Sequence, residues 1–126
     1  MYLAIRSDQA EGQVYLLSTT GEIIASQIWP AGRTLARDLP GVIDKLLDSD
    51  FNQLSGLIVF SGPGSFTGLR IGAAVSNAIA ESLNIPIVGS QSEDWLEQGL
   101  KKLLAGENQH IVMPNYGADP NITTPS

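Results

Sequence analysis

The sequence predicts an α/β fold in which a mixed five-stranded sheet carries helices on its faces. Strand-like segments separated by turn residues open the chain, and from residue 34 onward segments of helical period alternate with short apolar runs. Strands joined by tight turns run antiparallel, whereas strands joined through a helix run parallel. The length of 126 residues suffices for one domain with a hydrophobic core.

The first thirty residues predict an antiparallel meander. Strand-like patterns cover Tyr2–Ile5, Gly12–Thr19 and Glu22–Trp29. Thr20 and Gly21 form a turn signal between the second and third patterns. The gap between the first two patterns is too short for a helical crossover, so we expect all three strands to run antiparallel.

The next segment, Thr34–Asp50, has helical period, and Thr34 is its predicted N-cap. Pro40 and Gly41 interrupt the pattern and are expected to kink or split the helix. The apolar residues form two stripes, which suggests that this short helix has two neighbours. The stripes are Leu35, Leu39, Val42 and Leu46 on one side and Ala36, Ile43 and Leu47 on the other.

The second half of the chain predicts the parallel part of the sheet, because buried apolar runs alternate with helical patterns. We expect one domain over residues 1–113 and an extended tail over residues 114–126, where prolines recur without a period. The predicted elements are a strand over Leu54–Phe60, a helix over Thr67–Leu83, a strand over Ile85–Gly89, a helix over Ser92–Leu104 and a short strand over His110–Met113.

The composition excludes several classes of function. Seven basic and thirteen acidic residues give a net charge of -6, which disfavours direct nucleic-acid binding because that depends on clustered Lys and Arg. The chain contains no cysteine, so disulfides, thiolate metal sites and a thiol nucleophile are excluded. The N-terminal residues do not resemble a signal peptide, and no apolar stretch reaches the ~18 residues of a membrane span. We therefore expect a cytoplasmic protein that does not contact membranes.

A glycine-rich corner, "SGPGSFTGLRIG" over residues 61–72, joins a predicted strand to a predicted helix. Backbone N–H groups at such a junction can hold an anion, but a Walker loop needs a lysine where this chain has Leu69, and the dinucleotide fingerprint needs a glycine where it has Thr67. We therefore interpret the corner as a structural turn in which Ser65 or Thr67 caps the helix. Its residues are Gly62, Pro63, Gly64, Ser65, Thr67 and Gly68.

Catalytic constellations are not apparent in the sequence. Ser65 lies on a sharp turn, but its neighbours Gly64, Phe66 and Thr67 do not form the G-x-S-x-G elbow of a serine hydrolase. The only histidine, His110, lies beside an apolar segment, where a structural role is more common than a catalytic one. We predict no catalytic residue, no metal site and no cofactor.

The helix that follows the corner has three predicted faces. A large apolar face, Ile71, Val75, Ile79 and Leu83, is expected to pack on the sheet, with Arg70, Asn77 and Glu81 opposite. Between them lies a narrow flank of small residues, which lets another helix approach closely. That flank either packs inside the molecule or forms an interface with another subunit. Its residues are Leu69, Ala73, Ser76 and Ala80, with Gly68 and Gly72 nearby.

The segment "GPGSFTGLRIG" resembles the signature of the TsaB family, also called YeaZ. Further similar segments are "LPGVIDKLL" in the first helix, "LSGLIVFSG" before the signature and "AIAESLNIPIVGSQS" after it. The resemblance covers most of the chain from Leu35 to Ser90. It implies one lobe of an actin/Hsp70-like ATPase fold, which is a ribonuclease H-like architecture.

The resemblance also implies a function. TsaB-like proteins are non-catalytic scaffolds that form homodimers and bind TsaD, the enzyme that transfers threonylcarbamoyl to adenosine in tRNA, and the ATPase TsaE joins them. The implied contact is a bundle of the first two helices of each subunit. Carried onto this chain, the partner-binding residues are Leu35, Leu39, Val42, Leu69, Gly72, Ala73 and Ser76.

The sequence departs from the family pattern in two places. Family members open with an Asp-Thr-like turn after the first strand, where this chain has Arg6-Ser7-Asp8-Gln9. They also carry a second lobe, and too few residues follow Gly89 to form one, so we expect a shortened single-lobe form. Two alternatives stay open at this point: a small actin-like nucleotide-binding ATPase, and a shortened paralogue that only homodimerises.

Overall fold

The computed structural model of the chain describes residues 1–115 and confirms the mixed five-stranded α/β sheet. The strand order is β3-β2-β1-β4-β5, with β1, β2 and β3 antiparallel and with β4 parallel to both β1 and β5. The predicted tail over residues 114–126 lies outside the described residues from residue 116 onward. The strands are β1 (Tyr2–Arg6), β2 (Gly12–Leu17), β3 (Ile23–Trp29), β4 (Gly56–Phe60) and β5 (Ile87–Ser90).

In the described part of the chain, three α-helices cover the sheet: α1 (Leu35–Leu46), α2 (Phe66–Leu83) and α3 (Trp95–Leu104). Helices α1 and α2 pack against each other on one face, and α3 packs on β4 and β5 from the other face. This layering follows from the crossover rule, because each parallel strand is reached through a helix. Within residues 1–115, no helix combines the length and the hydrophobicity needed to cross a bilayer.

Alternating side chains of the strands build one core on each face of the sheet. On β1, Leu3 and Ile5 join the core beneath α1 and α2, whereas Ala4 joins the core beneath α3. The α3 core contains Trp95, whose ring packs edge-on against Tyr15 and Phe60 with centroid distances of 6.0 and 5.9 Å. The central strands are therefore buried on both sides, as their continuous apolar sequence predicts.

Helix α1 is shorter than predicted and is not split at Pro40. It is continuous from Leu35 to Leu46. Because proline lacks an N–H, the carbonyl one turn earlier, on Ala36, loses its helical partner, but Ala36 is exposed and water can solvate it. The helix ends before the predicted Asp50 because Asp48 and Ser49 adopt left-handed backbone conformations, with φ of 53° and 61°.

The predicted strand over His110–Met113 is wrong: these residues have no strand conformation. The chain just before them seals the outer edge of β5 instead. The Ile87 N–H donates to Asn108 Oδ1 (3.1 Å), and its carbonyl accepts from the Gln109 N–H (2.9 Å). The Gly89 N–H donates to Gln109 Oε1 (3.0 Å), and its carbonyl accepts from Lys102 Nζ (2.7 Å). Three side chains and one main-chain N–H thus take the place of a sixth strand at this edge.

The most buried side of α2 is not the one predicted: it carries mainly small residues, whereas the large apolar residues expected on the sheet are only partly buried against the core. Its large apolar residues are only partly buried and form a flank of the helix. The reason is close approach: a Cβ on Gly68 would overlap the carbonyl oxygen of Ser7, and one on Gly72 would overlap the Ser7 hydroxyl. The buried residues of α2 are Gly68, Leu69, Gly72, Ala73, Ser76 and Ala80.

This close approach predicts opposite effects for two helical Gly→Ala substitutions. We expect Gly68→Ala to lower the free energy of unfolding by about 1–3 kcal/mol, because the new methyl group meets a backbone oxygen. The matched control Gly41→Ala on α1 has nothing within 4 Å of its new Cβ and should raise the free energy of unfolding by about 0.5–1 kcal/mol. Urea denaturation measures both values, and a Gly68→Ala variant as stable as the unmodified chain contradicts the packing.

Candidate functional site

The glycine corner lies between the end of β4 at Phe60 and the start of α2 at Phe66. At Gly62 the backbone has φ +114°, a conformation that residues with a Cβ rarely adopt. A Cβ there would also overlap the carbonyl oxygen of Asn115, whose own N–H donates to the carbonyl of Ser61 (2.7 Å). Both features account for the glycine at position 62.

The corner packs directly on the connection between β1 and β2. A Cβ on Gly64 would lie 2.6 Å from Asp8 Cβ, and the hydroxyl of Ser7 donates a 2.7 Å hydrogen bond to the carbonyl of Gly68. Ser7 is fully buried. The start of α2 is thus held directly against residues 7 and 8.

An ion pair that the sequence analysis did not predict occupies this junction. Arg6 Nε lies 2.8 Å from Asp8 Oδ1, and the two side chains are 18% and 8% exposed. The guanidinium also stacks over the Phe60 ring at 3.9 Å. Burial raises the pKa of the nearby Tyr15 hydroxyl, and Arg6 opposes that rise. Arg6 is therefore engaged by a carboxylate and a ring and is not a free cation for an anionic ligand.

A shallow cleft of about 270 Å³ lies beside the corner, between the β1–β2 connection and the start of α2. Its lining includes Ser7, Asp8, Ser65 and Thr67. Ligand sites for small molecules typically measure about 300–1,000 Å³, so this cleft lies below the usual range. Its carboxylate lies beside the loop before α2, where the helix dipole would otherwise favour a bound anion.

The remaining polar residues of the corner and the chain's histidine make few contacts. Ser65 is the N-cap residue of α2, but its side chain makes no capping hydrogen bond, so the predicted Ser65 cap is not formed. Thr67 is exposed. His110 is exposed as well, and its Nδ1 lies 3.5 Å from Asn108 Nδ2. Among residues 1–115, no group of three or more His, Cys, Asp and Glu side chains could hold a metal ion.

The predicted partner-binding residues lie beneath the helix pair. Of these residues only Val42 is partly exposed, and Ser76 is completely buried, with an Oγ that lacks a hydrogen-bond partner. In the single chain the buried members join α1 and α2 to the sheet, so a partner cannot reach them without opening the core. The buried members are Leu35, Leu39, Leu69, Gly72, Ala73 and Ser76.

The side of the helix pair that faces solvent is apolar and built from small residues. No charged residue occurs between Arg70 and Glu81, and the exposed positions in that stretch are alanines. A helix exposed to water normally carries polar residues on this side. We call this region the outer helix surface, and it consists of Ala36, Pro40 and Gly41 on α1 and Ala74 and Ala78 on α2.

Comparisons with known sequences agree with this architecture. Residues 19–112 match the family model described as TsaD: tRNA N6-adenosine threonylcarbamoyltransferase. The tRNA threonylcarbamoyladenosine biosynthesis protein TsaB of Bacillus subtilis is 42% identical over 62 residues, and its counterpart in Haemophilus influenzae is 31% identical over 81 residues. These alignments cover 48% and 62% of this chain but only 27% and 34% of the two relatives.

The fold is also similar to a solved structure, YeaZ from Pseudomonas aeruginosa. The TM-score is 0.66 at 26% sequence identity, and the match covers 78% of this chain and 49% of that protein. This similarity and the family match support the ribonuclease H-like α/β fold that the sequence resemblance implied. The chain belongs to the family defined by the TsaD model, and within it the chain is similar to the proteins named TsaB or YeaZ.

Proposed function

We propose that the chain is a non-catalytic scaffold that acts in the cytoplasm, forms a homodimer through α1 and α2, and supports a TsaD-like enzyme in the threonylcarbamoyl modification of tRNA adenosine. The names of its relatives and the family model support a role in this pathway. The chain spans about a quarter to a third of the length of those relatives. The proposed role is therefore argued from the surface of this chain and not from the activity of the whole relatives.

The observation that carries the proposal is the outer helix surface. Alanine and glycine residues allow the backbone of a second helix to approach closely. Covering an uncharged helix face also costs little free energy of desolvation. Half-buried apolar residues lie next to it and would lose their remaining exposure in a dimer. They are Val42 and Leu46 on α1 and Ile71, Val75 and Ile79 on α2.

The buried residues of the helix pair have a supporting role in this proposal. Leu39 and Leu69 fix α1 and α2 on the sheet, and Ala73 lets α2 lie close enough to it. Their contribution to partner binding is to position the outer helix surface rather than to contact the partner. A TsaD-like subunit would dock on the same helix pair, and a TsaE-like ATPase partner stays a prediction.

The outer helix surface predicts the effect of adding charge to it. The double variant Ala74→Glu with Ala78→Glu should keep the fold, because both positions are exposed and glutamate is a good helix former. The four carboxylates of two copies would face each other, so we expect dimerisation to weaken by at least about tenfold. Sedimentation equilibrium measures the association, and circular dichroism checks the fold.

The matched control adds the same charge to the opposite face of the sheet. Leu104→Glu with Ala105→Glu, at exposed positions at the end of α3, should leave the association unchanged. The proposal is contradicted if both double variants associate equally well, or if the α2 variant still captures a TsaD-like subunit as strongly as the unmodified chain.

The structure of the corner predicts weak nucleotide binding, which separates the scaffold from the actin-like ATPase alternative. The Asp8 carboxylate lies beside Gly64 of the corner, where its negative charge opposes a phosphate, and Arg6 is already paired with that carboxylate. We expect isothermal titration with Mg-ATP to give a Kd weaker than about 1 mM. Micromolar affinity together with phosphate release would favour the ATPase alternative.

A further inference from the structure

The outer edge of β3 is unprotected in the described part of the chain. β3 is the last strand of the sheet, and among residues 1–115 no other strand pairs with its outer side. Its seven residues carry no charge and no proline, the devices that usually protect an edge strand. Three isoleucines on it are unusually exposed: Ile23 (55%), Ile24 (50%) and Ile28 (49%).

The two edges of the sheet differ sharply. At β5, the side chains of Asn108, Gln109 and Lys102 and the main-chain N–H of Gln109 bond the backbone groups of Ile87 and Gly89, so that edge cannot accept another strand. At β3, no strand among residues 1–115 pairs with the backbone groups on the outer side. Because unpaired N–H and C=O groups form a template for strand addition, β3 is the edge of this sheet that can accept a strand.

We propose that β3 pairs antiparallel with β3 of a second copy of this chain, around a two-fold axis at Ser26. In that register Ser26 faces Ser26 of the second copy, and Ile24 faces Ile28. Alternate residues of a strand share a face, so the isoleucines meet on one side of the sheet in two symmetric pairs. Helix α3 packs on β4 and β5 and leaves this side of β3 uncovered.

Two properties of the strand favour a second copy as the occupant. Its sequence is symmetric about Ser26, since apolar residues stand at both positions two residues away, as a two-fold interface requires. It is uncharged, so pairing places no like charges together in a chain of net charge -6.

The pairing also has room for a regular ladder. The register between β2 and β3 breaks at Ile24, which has no partner on β2 because Ala25 pairs with Leu16 and Ile23 pairs with Leu17. From Ala25 to Trp29 the register with β2 is uninterrupted. The regular ladder therefore includes Ser26 at the centre of the proposed interface, and each Ile24–Ile28 pair joins a regular position to the bulge at Ile24.

Cysteine cross-linking tests the register, because the chain has no cysteine of its own. Residues directly opposite in antiparallel strands have Cβ atoms about 4.5–5.5 Å apart, so Ser26→Cys should form an intermolecular disulfide under mild oxidation. The matched control Gln27→Cys lies on the same exposed strand, but its two copies would be about 8 Å apart at Cα and should cross-link at least about tenfold less.

The experiment is run on the Ala74→Glu with Ala78→Glu background, so that failure of the helix-pair dimer and failure of the strand pairing are distinguishable. The proposal is overturned if Ser26→Cys and Gln27→Cys give equal yields of covalent dimer, or if neither variant forms a covalent dimer. The proposal is also overturned if the β3 amides are protected from hydrogen exchange to the same extent at every protein concentration. The edge would then be covered within one chain, for example by residues 116–126.

A pair of charge variants tests the symmetry independently. Ile24→Glu with Ile28→Glu places carboxylates opposite carboxylates and should abolish the concentration-dependent protection of the β3 amides. Ile24→Lys with Ile28→Glu places each lysine opposite a glutamate in the Ser26 register and should retain that protection. Equal behaviour of the two double variants contradicts the two-fold register.

Discussion

The close approach of α2 to the end of β1 is the constraint on which the rest of the structure depends. The carbonyl and hydroxyl of Ser7 lie where Cβ atoms would stand on Gly68 and Gly72, and the Ser7 hydroxyl donates to the Gly68 carbonyl. Such an approach admits only small side chains, so the small residues of α2 pack on the sheet. Its larger apolar residues then form a flank, and alanines are left facing solvent.

The sequence was sufficient to predict the sheet, its mixed direction and the position of the corner. These depend on local signals: alternation in β1–β3, continuous apolar runs in β4 and β5, and a glycine-rich turn after Phe60. The face that α2 presents to the sheet could not be predicted in the same way. Helical periodicity identifies two apolar sides, and the choice between them depended on Ser7, a residue 61 positions away along the chain from Gly68.

Two further features depend on contacts that no local pattern indicates. The spacing of Arg6 and Asp8, two residues apart at the end of a strand, was a signal for their ion pair, but stacking on Phe60 depends on the parallel pairing of β1 with β4. Likewise Asn108 and Gln109 have the composition of a loop, and their function at the β5 edge follows from tertiary contacts alone.

The central claim is that α2 packs its small buried residues on the sheet and presents its exposed alanines to a partner. Thiol labelling of single introduced cysteines tests this claim most directly. The account predicts that Ala73→Cys stays unreactive at every protein concentration, because Ala73 is 6% exposed. It predicts that Ala78→Cys reacts in dilute protein and becomes protected as the concentration rises or a TsaD-like subunit is added. Rapid labelling of Ala73→Cys in dilute protein, or labelling of Ala78→Cys that is equally fast under all conditions, would contradict it.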